Sequence, residues 1–324
     1  AGLGSGFVPI DPARLFAATA VPSVANGFLG AGRLANDLTV QDNSSVTLDA
    51  RGADLNSTVR SLALGAGSTT TILNSGGFGW VGFETPIKVG GSNVVINPTT
   101  ATIVAAGGVD DANGLGGFGL IKEGNGMLSL ADSAGTFKGG LDIRSGTVSL
   151  MGPAALPAGA GASVTVGSVS GRVGTLANGS ADVSGMNTSG LAVGDWVVGN
   201  GVPANTTVSS IDAASGVVTL SAAATVSGAA SLAVVRPASL DLNGQTLTST
   251  TPMALAGSGT VTQRAALFNS SAATATVASP ITLQGMKDAD GTLLSGGRTT
   301  AGQLASIGVA NPGVGYSTAP TVTI

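Results

Sequence analysis

Apolar and polar residues alternate along this chain in short runs, and glycine or small polar residues separate one run from the next. Leu38 and Val40 flank Thr39, Val46 and Leu48 flank Thr47, Leu62 and Leu64 flank Ala63, and Ile87 and Val89 flank Lys88. Val94 to Ile96 and Ile103-Val104 continue the series. The pattern is densest between Gly119 and Leu150, where Leu128 and Leu130 flank Ser129, Leu141 and Ile143 flank Asp142, and Val148 and Leu150 flank Ser149. A period of two puts each apolar pair on one face of a strand and the middle residue on the other. Leu128 is therefore expected in a core and Ser129 on the solvent face. Asp42-Asn43-Ser44, Gly65-Ala66-Gly67, Gly90-Gly91-Ser92 and the glycines at 124, 126, 135, 139, 140 and 146 supply the turns. No such strand can bury its face alone, but stacked coils of them can. The pattern predicts an all-β chain folded as a parallel β-helix, or β-solenoid.

The stretch from Gly119 to Leu150 also carries a motif. Gly119, Leu120, Lys122, Gly124, Gly126, Leu128 and Leu130 are followed by Phe137, Gly139, Gly140, Gly146, Thr147 and Leu150. This resembles the autotransporter-associated β-strand repeat of bacterial passenger domains, with Phe137 where the family often has Tyr and Val148 where it has Leu. The resemblance implies a right-handed parallel β-helix on a secreted bacterial protein and implies no particular activity. Ala155 to Gly159 and Val164 to Val166 look like the linker that follows this repeat. Family-like strands resume at Ala238 to Leu247, Leu255 to Val261, Ala265 to Ser271 and Ile281 to Leu283.

The chain divides on this basis. Residues 1–36 are an irregular segment or cap, with Asp11 as N-cap and Pro12 opening a short helix to Ala20. Residues 37–166 and 237–300 are solenoid. Residues 167–236 read as an inserted small β-barrel or sandwich module. They resemble a β-module of large bacterial surface and phage-associated proteins, with strands at 195–198, 206–211 and 216–220 and a hairpin turn from Asp212 to Gly216. Trp196 is expected to anchor the core of this piece. Residues 301–324 resemble the start of a Gly-x-Gly-Tyr strand repeat. Their last alternating run, Thr321 to Ile324, is expected to pair with further chain or with another copy.

Composition narrows the chemistry. With no Cys and no His, the chain has no disulfide, no thiol nucleophile, no His-dependent triad and no zinc or copper site built on those ligands. Charged residues are 9% of 324 and the net charge is −4 without a basic cluster, which argues against nucleic acid or an anionic membrane as partner. No apolar run has the length of a membrane helix and no signal peptide is legible.

Candidate sites are few. Asp288-Ala289-Asp290-Gly291 has the alternating acids that wrap Ca²⁺, without the later ligands of an EF-hand. Asp110-Asp111 beside Asn113-Gly114 is similar, and both read first as polar turns. No other cofactor is expected. Glu84 and Glu123 are the only glutamates and lie in separate segments, so no paired-acid site is legible. Phe78, Trp80 and Phe83 either fill a wide coil or form a surface for sugar or a neighbouring subunit. Asn269 has the side chain of an internal amide ladder along stacked coils, but one Asn shows no ladder. The expected function is that of a non-enzymatic extracellular building block of a bacterial surface fibre or layer, with identical copies as partners. The alternatives are an adhesin that binds a cell-surface glycan and a glycan-active β-helix enzyme.

Overall fold

The computed structural model describes residues 6–10, 32–50, 57–73, 80–92, 94–99, 101–111, 119–133, 135–256, 259–260, 265–285 and 288–290. The expected helix after Pro12, Phe78, Asn113-Gly114, Gly291 and the repeat at 301–324 lie outside them. Every regular element among the described residues is a strand. The chain runs through β1 (Gly6–Ile10), β2 (Gly32–Val40), β3 (Ser45–Ala50), β4 (Ser57–Leu64), β5 (Thr69–Leu73), β6 (Trp80–Phe83), β7 (Ile87–Val89), β8 (Val94–Pro98), β9 (Thr102–Ala105) and β10 (Val109–Asp110). It continues through β11 (Gly119–Lys122), β12 (Met127–Leu130), β13 (Gly140–Ile143), β14 (Gly146–Leu150) and β15 (Val164–Val166). A separate group follows: β16 (Ser168–Leu176), β17 (Asp182–Val183), β18 (Trp196–Gly199), β19 (Val208–Asp212), β20 (Val217–Leu220) and β21 (Gly228–Arg236). β22 (Ala238–Asp241), β23 (Met253–Ala256), β24 (Leu267–Phe268) and β25 (Ile281–Gln284) complete the described chain.

Two parallel sheets form a β-solenoid. The first has nine strands in the order β1-β3-β5-β8-β11-β13-β15-β23-β25, and the second has ten, in the order β10-β7-β4-β6-β9-β12-β14-β22-β24 with β2 beside β4. Each coil contributes to both sheets, so each strand pairs with its counterpart one coil away. Register keeps apolar side chains in columns. Val94, Leu120, Leu141, Val164, Met253 and Ile281 are partners in turn along the first sheet. Val81, Ile103, Leu128, Val148, Leu240 and Leu267 do the same along the second. Phe137, Leu156 and Leu247 join the same buried core from the stretches that close each coil. Phe83 is wholly buried within it, while Trp80 on the same strand is half-buried.

The 168–236 stretch departs from this scheme. β16, β21 and β18 make one antiparallel sheet, and β17, β20 and β19 make a second. Leu176, Val183, Val197, Val218, Leu220, Leu232 and Val234 form a core of their own between them. The solenoid resumes at once on the far side, since Val148 pairs with Leu240 and Val164 with Met253. Trp196 does not anchor the small core. Val197 fills that role, and alternation along β18 turns the Trp196 indole to the opposite face of the sheet.

Ser129 also departs from expectation. It points away from the apolar columns, yet it is only 7% exposed. Its column runs Val104, Ser129, Ser149 and Asp241, and neighbours about 4.8 Å apart shield one another. Ser149 Oγ donates to Asp241 Oδ2 at 3.1 Å, and Ser270 adds its own hydroxyl and amide to the same carboxylate at 2.7 and 3.0 Å. The outer face here is a closed polar seam rather than a wetted surface.

Leu128→Asp is expected to cost roughly 4 kcal/mol or more, because it buries an unpaired carboxylate among stacked aliphatic side chains. Ser129→Ala is expected to change stability by about 1 kcal/mol at most. Urea denaturation followed by circular dichroism measures both, and equal damage would contradict the face assignment.

Candidate functional site

One group of charged residues, Lys122, Glu123, Asp142, Arg144, Asp195 and Arg236, gathers where the solenoid meets the 168–236 unit. Lys122 is the innermost. It ends β11 at an inward-facing position, in register between Ile96 and Ile143, and is 0% exposed. Its alkyl stem takes the place of an aliphatic residue in the column, and its ammonium reaches the backbone of the turns. Nζ donates to the carbonyls of Glu123 at 2.8 Å, Gly124 at 2.7 Å and Ser145 at 2.8 Å. Two acceptors lie in its own coil and one in the next, so the side chain ties two turns together. Burial pulls its pKa down from 10.5 to about 7, against the partial resistance of the Glu123 charge. An amine lowered this far suits nucleophilic chemistry. Lys122, however, is enclosed and its donors are committed to carbonyls, which favours a structural role.

Gly146 completes this turn. Its φ is +70°, and a Cβ there would lie 2.4 Å from the Gly124 carbonyl oxygen and 2.8 Å from Lys122 Nζ. Only glycine fits both the left-handed backbone and the close approach.

A chain of ion pairs extends outward from Lys122. Arg144 Nε donates to Asp142 Oδ2 at 2.7 Å and its terminal nitrogen to Glu123 Oε1 at 3.2 Å. Burial opposes the Arg144 charge, but Asp142 and Glu123 outweigh it and hold its pKa above the ordinary value. The same Glu123 oxygen lies 3.7 Å from Arg236, at the exit of the 168–236 unit. Arg236 in turn stands 3.8 Å from Asp195 and donates to the Gly190 carbonyl. Asp195 is 2% exposed; burial raises its pKa, with the Ala192 amide at 2.8 Å and the Arg236 charge working against the shift. Arg172 reaches the Ser189 carbonyl at 3.0 Å beside this cluster.

The residues singled out in the sequence fall elsewhere. Asp288 Oδ1 accepts the Asp290 amide at 3.0 Å, as a polar turn does. Asp111 is 1% exposed, and its Oδ2 accepts the Lys138 amide at 3.0 Å, which braces the next coil. Among the described residues no group of three or more acidic side chains is placed to hold a metal ion. Asn269 forms no ladder: its oxygen accepts the Gly244 amide and its nitrogen donates to the Ala273 carbonyl. Glu84 and Glu123 stay apart, in different coils.

No family model, curated protein or solved structure matches the chain. The site therefore has to be read from its own geometry. That geometry is a set of buried and half-buried charges that satisfy one another and the backbone. Nothing in the local sequence marked Arg144, Asp195 or Arg236 as a group, since they lie far apart in the chain. The one available signal was Lys122, a lysine at a position that period two assigns to the core.

Lys122→Met is expected to destabilise the protein by about 3 kcal/mol, because three buried carbonyls lose their donor. The folded state holds this amine near pKa 7, against about 10.4 unfolded, so between those values the unfolded chain binds more protons. Stability contributed by Lys122 is thus least below pH 7 and rises as pH climbs towards 10. The gap between parent and Lys122→Met in urea melts is expected to widen over that range, and a constant gap would show an unshifted lysine. Gly146→Ala is expected to be as damaging as Lys122→Met at pH 7.

Proposed function

We propose that the chain is a structural component of a bacterial cell surface, a stiff β-solenoid rod that associates with identical copies. One observation carries this reading. Ile281 and Leu283 continue the inward-facing columns of the first sheet beyond Met253 and Leu255, yet they are 42% and 58% exposed. Among the described residues, β25 is therefore an edge that presents both open backbone groups and core side chains. Such an edge templates a further strand. Parallel contact on it preserves the columns, and a contact of one end on the opposite end propagates unless it closes. The charge balance and the resemblance to autotransporter repeats support the same reading, as does a cluster of charges spent on backbone and on one another.

An adhesin is the second reading. It is favoured by the 168–236 unit, which has its own core and carries exposed Val173 and Val193, at 55% and 62%. Loops and insertions on a rigid scaffold are where binding surfaces concentrate.

Sedimentation velocity across a concentration series, with electron microscopy of the same samples, separates the readings. Concentration-dependent filaments or sheets support the rod that associates. Leu283→Lys, which places a charge on the open edge, is expected to reduce that association at least several-fold while leaving the monomer folded. A monomer at every concentration overturns the proposal. Glycan-array binding that disappears on removing residues 167–236 would favour the adhesin instead.

A further inference from the structure

The 168–236 unit is joined to the solenoid by two adjacent strands. Ser168 pairs with Arg236, and nine consecutive residues of β16 pair with β21. At the base, the Gly167 amide donates to the Ile143 carbonyl at 2.8 Å and the Gly146 amide to the Pro237 carbonyl at 3.2 Å. Gly167 has φ +71°. A two-stranded stalk with a left-handed glycine at its root is a hinge unless something else holds the unit.

Two further sets of contacts join the unit to the rest of the chain. Upstream, Arg236 is 15% exposed and bridges the solenoid's Glu123 to Asp195 and Gly190 in the 190–195 loop of the unit. Glu123 is itself fixed by Arg144, which is fixed by Asp142. Downstream, the backbone of Asp288-Ala289 passes directly over Gly171 of β16. A Cβ at Gly171 would lie 2.5 Å from the Asp288 carbonyl oxygen and 2.6 Å from the Ala289 Cα. The Asp290 amide donates to Ser231 Oγ on β21 at 3.3 Å. Gly171 and Ser231 lie on the same sheet, so chain that has already passed through the next coils returns to touch it.

We infer that these two contacts act as two jaws, and that the unit is clamped to the rod as one rigid body. Glu123 is the fixed point of the upstream jaw, and the 288–290 turn is the downstream jaw. Asp288, whose Oδ1 accepts the Asp290 amide, then shapes the turn that seats on Gly171. The inference does not depend on whether copies associate or on what the unit recognises. It gives the pair Glu123 and Arg236 a positioning role that a merely solvated ion pair lacks.

The chain carries no native cysteine, which makes the test direct. Lys88→Cys on the solenoid and Ser210→Cys on the unit are both exposed positions for spin labels. Pulsed electron–electron resonance on the labelled full chain is expected to give one narrow distance distribution. Glu123→Gln combined with Ser231→Ala opens both jaws and is expected to broaden it roughly twofold or more, with the strand signal in circular dichroism unchanged. If the double variant loses that signal, Glu123→Gln combined with Gly171→Ala, whose added Cβ pushes the 288–289 backbone off β16, carries the test instead. A parent distribution that is already broad, or a folded variant as narrow as the parent, overturns the clamp.

Discussion

Everything in this protein follows from one constraint: each coil must place its inward side chains directly over those of the coil before it. Parallel pairing sets the coils about 4.8 Å apart, and at that spacing a side chain has no freedom to seek a partner elsewhere. A slip of one residue would turn a whole coil inside out. The columns Val94 to Ile281 and Val81 to Leu267 hold their register through successive coils, and they hold it across the 168–236 unit as well. The apolar core is therefore a set of continuous stacks, and its cohesion comes from neighbours in the axial direction.

Stacking imposes the same rule on polar residues. A polar side chain in a column meets a neighbour above and below whether or not they are complementary. Asp241 illustrates the complementary case, with Ser149 on one side and Ser270 on the other. Thr70 illustrates the opposite. It sits inward in register with Val46 and Ile96, 0% exposed, and its hydroxyl has no hydrogen-bond partner among the described residues. Lys122 shows a third solution, in which a long stem carries the charge past the column to the turn carbonyls. Its place in the same inward column as Ile96 and Ile143 explains why a residue usually found in water is wholly enclosed.

The fold was legible because it is periodic. Every apolar pair read from alternation between Val46 and Val166 that the structure describes is buried, Leu38 of the first pair is half-buried, and the turns fall at the glycine and Asx positions that punctuate the pattern. Alternation says which face a residue takes but not what covers that face, which is why Ser129 looked solvated and is not. Trp196 was misread because size suggested a core anchor, while the phase of β18 gives that place to Val197. The ion-pair chain was invisible for another reason. Glu123, Arg144 and Arg236 come together only through the coil spacing and through a detour of some seventy residues between β15 and β22. No local pattern encodes that meeting.

The detour bears on how the chain folds. Most coil-to-coil contacts close loops like that of Lys122 with Ser145, 23 residues apart, whereas Ser149 meets Asp241 across 92. Two doublings of loop length add about 1.2 kcal/mol to the entropy of closure. That penalty vanishes once β16 and β21 have zipped together, because Ser168 and Arg236 then stand side by side. The antiparallel unit thus brings the two halves of the rod together at no more entropic cost than an ordinary coil. The interruption is a long insertion in sequence and a short one in space, since its two ends leave and re-enter the rod as paired neighbours.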